Sequence, residues 1–313
     1  MVRPGIVTPI LQRDYPQAMA TFSEAVRQKP FAISAELFLR PEMTAEMLAL
    51  QVKTLQQHVD GILVTDNQEG RLHLSPLVAA SLVKAAGADP IVQLSCRNRN
   101  RIALLAELLG ATTLGITSLV LIRGNRVPEG FNPRPRAVFD LDANELISMA
   151  SQITADDCLP NLPDLFVGCV ITPHHAEPGW VPDKLNQKIA AGAQFAQTHI
   201  CMDTELLQSY MKHLVAAGIP RRLGIFVKLA VFSSADDARW LRESLPNNLI
   251  PDAVIERLDR AQDAEAEGIR IAAEQLQTLA RTPGVSGAHL VATQNLGTIC
   301  RAIELAGLGP HSR

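Results

Sequence analysis

Short apolar, β-branched runs alternate with longer amphipathic stretches along nearly the whole chain. The runs are Ala32–Phe38, Gly61–Thr65, Ile91–Ser95, Ser118–Arg123, Leu165–Thr172, Ala196–Cys201, Leu223–Leu229 and Gly287–Ala292. Between them, stretches such as Thr44–His58, Pro76–Ala86, Arg101–Gly110, Asp203–Ala217 and Ala264–Ala280 repeat apolar positions at the spacing of a helix with one buried face. Strands that alternate with helices pair in parallel through crossovers. Eight such units predict an α/β fold, a closed (β/α)8 TIM barrel, with a doubly wound open sheet as the alternative. The barrel domain is expected over residues 31–313. Residues 1–30 form an N-terminal extension with a helical pattern over Tyr15–Gln28. Asp203 and Ser233 are the expected N-caps of two of the helices, and Pro246 and Pro251 punctuate the longest insertion, between strands seven and eight.

Composition sharpens this picture. Aromatic residues make up only 4% of the 313-residue chain, so the core is expected from Leu, Ile, Val and Ala, the branched filling of barrel interiors. The net charge of -3, without a long basic block, gives nucleic-acid binding little support. Arg97, Arg99 and Arg101 are the densest basic cluster, which a helix start would disperse. The five cysteines, Cys96, Cys158, Cys169, Cys201 and Cys300, are odd in number and lack a CxxC pair. That spacing argues against a disulfide framework or a zinc site and suits small buried hydrophobes. His174-His175 lacks the partners of a metal site, and His58 and His213 fit helix surfaces. Neither a signal peptide nor a membrane span is seen, so a soluble, cytoplasmic protein is expected.

Candidate chemistry sits at the ends of the strands, where (β/α)8 barrels carry their working groups. Those ends hold Glu36, Thr65, Gln93 with Ser95, Arg123-Gly124-Asn125, Thr172, Thr198-His199, Lys228 and His289. Glu36 is the sharpest, a carboxylate inside the apolar segment AISAELFL. Burial would raise its pKa, as a general acid at neutral pH requires. Arg123-Gly124-Asn125 combines a fork of donors with a glycine that lets a ligand approach the backbone. Gly-Asn is also an ordinary turn signal, and Lys188 reads equally as a solvated helix lysine or a phosphate contact.

Several segments resemble one known family. They are SAELFLRP (34–41), TDNQEGRLHLSP (65–76), PIVQLSCRNRNRIALLAELLGATTLGI (90–116), LIRGN (121–125), KLNQKIAAGAQFAQTHICMD (184–203) and LPNNLIPDAVIERL (245–258). Together they are similar to the methylenetetrahydrofolate reductase family, including the reductase halves of bifunctional homocysteine methyltransferase proteins, from about Phe31 to Leu308. The resemblance implies a (β/α)8 flavoprotein of one-carbon metabolism. In it, NADH or NADPH reduces FAD, which reduces 5,10-methylenetetrahydrofolate to 5-methyltetrahydrofolate, the methyl donor of methionine biosynthesis. Glu36 then matches the general acid that protonates N10. Thr65, Gln93, Arg123, Gly124, Asn125, Ala143 and Lys188 fall at positions lining the flavin or its phosphates, and His199 and Ala235 at positions facing the substrate. No metal is implied, and the partners are a folate-type small molecule and a second copy or a partner subunit.

Departures from the pattern are equally specific. Asn125 stands where the family has an aspartate beside the flavin, Gln93 where it has histidine, His199 where it has glutamine. Ala235 occupies the place of an aromatic, and KLAV (228–231) replaces a Gly-Ile-x-Pro run. An amide at position 125 keeps hydrogen bonding but loses the charge that stabilises a cation. Three readings follow: a variant reductase with Asn125 and Glu36 at its catalytic centre, a divergent oxidoreductase or one-carbon enzyme, and a non-catalytic member acting with a partner chain.

Overall fold

The computed structural model describes residues 21–127, 130–153, 162–177, 179–245 and 247–309. Its strands are β1 (Ala32–Glu36), β2 (Gly61–Val64), β3 (Pro90–Ser95), β4 (Ser118–Ile122), β5 (Phe166–Ile171), β6 (Phe195–Ile200), β7 (Gly224–Val231) and β8 (Gly287–Ala292). Each pairs in parallel with the next, and β8 returns to β1 through Ala32↔Gly287 to Ala35↔Leu290, closing the barrel. The expected (β/α)8 architecture is therefore the observed one.

The crossover helices are α2 (Ala45–Leu55), α3 (Pro76–Ala85), α4 (Arg101–Thr113), α5 (Ala143–Ile153), α6 (Asp183–Ala190), α7 (Thr204–Ala216), α8 (Ala235–Ser244), α9 (Asp252–Arg260), α10 (Ala264–Arg281) and α11 (Gly297–Leu305), preceded by α1 (Phe22–Gln28). Among the described residues no helix is long and apolar enough to cross a membrane. Asp203 caps α7 as expected, accepting from Leu206 N at 2.9 Å. The cap of α8 is Ser234 rather than Ser233: Ser234 accepts from Asp237 N, whereas Ser233 reaches across to Glu265. Of the expected Tyr15–Gln28 helix, α1 is the part that falls within the described residues. Cys158 and Pro246 lie outside them. The other four cysteines are buried, and burial pushes the Cys169 thiol up to about 11.

Two apolar layers share the core. The larger lies between strands and helices and is aliphatic, as the composition predicts. The smaller fills the barrel itself and is not. Phe22, Phe166, Phe195 and Phe226 meet there, with ring centroids from 4.7 to 6.1 Å apart. Four of the nine phenylalanines are thus gathered at one place in a chain poor in aromatics. Gly168 makes room for the stack, since a Cβ there would stand 2.3 Å from the Phe195 ring. Phe22 is supplied by α1, whose start is fixed by a reciprocal Thr21–Glu24 capping box and by Phe22 N donating to Asp89 at 2.7 Å. α1 is therefore part of the floor of the barrel. Burial raises the Asp89 carboxyl to about 6, against the pull of that bond and of Lys84.

Candidate active site

Side chains alternate along each strand, so residues two and four beyond the aromatic floor also face inward. From Ala32, Leu63, Ile91, Phe195, Phe226 and Gly287 this alternation carries Ser34 and Glu36, Thr65, Gln93, Gln197, Lys228 and His289 into the barrel above the floor. Of the polar strand ends, Glu36, Thr65, Gln93, Lys228 and His289 therefore converge on one mouth.

Glu36 and Lys228 form its centre. The Lys228 ammonium donates to Glu36 Oε2 at 2.7 Å. The His289 Nε2 atom lies 3.5 Å from the same oxygen, beyond a formed hydrogen bond, while Nδ1 is 2.9 Å from the Ser34 hydroxyl. Ser34 and His289 have no measurable exposure, and the Glu36 side chain retains only 6% against 16% for Lys228. Burial alone would raise the Glu36 carboxyl. Lys228, helped by His289, outweighs burial and holds it at about 2. The expected proton-bearing Glu36 is thus replaced by a fixed carboxylate, because a lysine of β7 arrives beside it.

The two imidazoles beside Lys228 are kept neutral. Burial pushes His289 below its ordinary value, with Lys228 adding to the push and Glu36 opposing it. His199 is pushed down to about 4, first by burial and then by Lys228. His199 lies at an irregularity of the barrel. Gln197 pairs with Phe226 but Ile200 with Lys228, so β6 holds one extra residue there, and the Thr198 hydroxyl accepts from Lys228 N at 2.9 Å. Bulges of this kind re-aim a side chain at a barrel rim.

A second polar cluster props the rim between β2 and β4. Asp66 is buried, and its Oδ2 accepts from Ser95 N (2.8 Å), the Ser95 hydroxyl (2.7 Å) and Arg99 (2.7 Å). The side chain of Arg97 is fully buried and donates to the carbonyls of Asn67 (2.7 Å), Asp66 (3.3 Å) and Asn125 (3.3 Å). Arg97 and Arg99 are therefore structural ties, not the dispersed surface cluster expected, and only Arg101 begins a helix. Gly124, at φ +84°, packs on this support, and a Cβ there would stand 3.0 Å from both Ser95 Cβ and Arg97 Cβ. The turn at Arg123-Gly124-Asn125 thus takes its position from Arg97.

The residues assigned to a flavin are brought together only in part. Thr65 and Gln93 share the mouth, the Gln93 amide oxygen accepting from Asp66 N at 3.4 Å, and Gly124 and Asn125 follow β4 on the Arg97 support. The Arg123 guanidinium instead lies over the Phe139 ring, 4.4 Å from its centroid. Ala143 opens α5, but the carboxylates of Asp142 and Glu145 cap that helix reciprocally at 2.7 and 2.9 Å. Lys188 stands on α6, where its charge acts on Cys169 of the outer face of β5. A diphosphate at Ala143 would meet the carboxylates of Asp142 and Glu145, while the Arg123 guanidinium is turned onto Phe139, an arrangement that fits the phosphate end of FAD poorly. Ala235 is buried at the start of α8 and offers no cover to a substrate.

A model of the family described as methylenetetrahydrofolate reductase matches residues 21–306. The chain belongs to the methylenetetrahydrofolate reductase family. Nothing among the curated proteins matches the sequence. Among solved structures, one similar to this chain is described as an uncharacterized protein from Clostridium thermocellum that binds two copies of 5-methyl-5,6,7,8-tetrahydrofolic acid. The two share 12% identity with a TM-score of 0.66, over 91% of this chain and 97% of the other. At that identity the likeness speaks for the fold. The family match covers the floor helix α1 as well as the strands.

Proposed function

We propose that this chain binds a reduced folate at the barrel mouth and reduces 5,10-methylenetetrahydrofolate to 5-methyltetrahydrofolate, with NADH or NADPH as the electron source. The observation that carries the reading is the buried Glu36–Lys228 pair, flanked by neutral His289 and His199, at the mouth of a barrel of this family. The folate bound by the Clostridium thermocellum protein supports the substrate class. Opening the methylene bridge needs a proton at N10 and leaves a cationic carbon–nitrogen double bond. A fixed carboxylate in a poorly solvated mouth stabilises that cation as it develops. Neutral His199 offers a donor and an acceptor, as the glutamine of the family pattern would. Gly124 and Asn125 present backbone and amide groups to the rim. The residues at the start of α5 fit the FAD phosphates poorly, so the hydride is taken to come directly from the nicotinamide.

The test is binding and turnover together. Titration calorimetry with 5-methyltetrahydrofolate should show one or more saturable sites, and reduced nicotinamide should be consumed only when 5,10-methylenetetrahydrofolate is present. Binding without turnover would leave a folate-binding protein and remove the reductase reading.

A further inference from the structure

Glu36 and Lys228 differ in what they show to the mouth. The carboxylate is the more covered of the two, at 6% against 16%, and its Oε2 is already held by the lysine. Only one of the three N–H donors of Lys228 is committed to Glu36. The charged or titratable groups of neighbouring strands that face this lysine are Glu36 of β1, His199 of β6 and His289 of β8. Neither imidazole bears a proton it can readily lose as an acid, because both are held neutral by burial. Ser34 is turned to His289, beneath the pair.

We infer that Lys228, not Glu36, is the group that touches the folate and delivers the proton to N10. The inference rests on the folate reading above. In the step, an Nζ–H bond of Lys228 breaks and a proton passes to N10. The bond from the methylene carbon to N10 breaks with its electron pair remaining on nitrogen, and the carbon becomes doubly bonded to N5, which carries the positive charge. Hydride from the reduced nicotinamide then adds to that carbon, so the folate carbon is reduced and the nicotinamide oxidised. The lysine is left as a neutral amine and regains its proton from water.

Moving the proton also changes what surrounds Glu36. Before transfer, the ammonium neutralises the carboxylate; after transfer, the carboxylate faces the new cation with its charge uncompensated. The site thus produces a negative charge at the moment the substrate becomes positive. That is the electrostatic role that the amide of Asn125 cannot fill.

The experiment compares wild type, Lys228→Arg and Lys228→Ala for 5-methyltetrahydrofolate affinity and for turnover of 5,10-methylenetetrahydrofolate. Arginine keeps a positive charge beside Glu36 but cannot be deprotonated in a protein. Lys228→Arg is expected to hold its folate affinity within about threefold and to lose about 100-fold or more in kcat, the range of general acid catalysis. Lys228→Ala should recover turnover with added methylamine and not with guanidinium. Near-wild-type kcat in Lys228→Arg, or rescue of Lys228→Ala by guanidinium as well as by methylamine, overturns the proton-donor role while the folate reading stands. Absence of turnover in the wild type itself overturns both.

Discussion

Replacing Glu36 by Gln conserves shape and removes one charge, and the structure gives the cost. The Lys228 ammonium, 2.7 Å from the carboxylate and mostly covered, would be left facing an amide. Breaking a buried pair from one side costs about 3–5 kcal/mol. The 16% exposure of Lys228 moves the expectation to the lower end of that range. An independent route agrees. The fall of the Glu36 carboxyl from its ordinary 4.5 to about 2 corresponds to about 3 kcal/mol at 1.36 kcal/mol per pKa unit. At the entropy of unfolding usual for a domain of this size, that is a loss of about 5 °C in Tm. A depressed carboxylate stabilises the fold above its unfolded pKa and ceases to do so as pH falls through the folded one. The contribution is therefore complete above pH 4.5 and disappears towards about pH 2. Thermal and urea unfolding of wild type, Glu36→Gln, Lys228→Met and the double variant form the assay. Each single variant should lose about 3 kcal/mol, and the double variant should return to within about 1 kcal/mol of wild type, since no charge is stranded. Single variants as stable as wild type, or a double variant that loses the sum of both, would refute the pairing.

Asp89, raised to about 6 by burial, has the opposite sign: the fold gains stability as pH falls from 6 towards 3.8. Asp89→Asn keeps an acceptor for Phe22 N and should flatten that part of the pH–stability curve without loss at pH 7, as followed by urea midpoints. Because His199 is neutral above about pH 4, His199→Gln should retain turnover within about tenfold, whereas His199→Lys should lose folate affinity through charge repulsion with Lys228, both read by steady-state kinetics and calorimetry. The purified protein should lack flavin bands in its visible spectrum, and FAD added in excess should not alter turnover; stoichiometric flavin retained through purification would contradict the reading of Asp142 and Glu145 at α5.

Much of this was legible in the residues because it is local. Strand periodicity, the caps at Asp203 and the polar strand ends are written within a few positions of one another. Glu36, Lys228 and His289 were each visible as polar interruptions of apolar strands. Their pairing was not, since Glu36 and Lys228 lie 192 residues apart and meet only when β8 closes on β1. That contact reverses the direction in which burial alone moves the carboxyl. Arg97 and Arg99 misled for a related reason. A run of arginines looks solvated until Asp66, about 30 positions earlier, is brought beneath it. The aromatic floor was hidden by averaging, as a low overall aromatic content says nothing of where the rings gather.

Phe22 has a consequence for traffic as well as for packing. With that ring seated among Phe166, Phe195 and Phe226, the barrel is stopped at one end by apolar rings, and the polar groups above them face the mouth. A folate lying across the mouth would close that exit. The protons available to Glu36, Lys228 and His289 are then those loaded before the ligand arrived, and none can be exchanged until it leaves. Under the proposed reaction each cycle would draw on one stored proton, and recharging would wait for product departure. In such a site the order of events is imposed by access, with no moving part required.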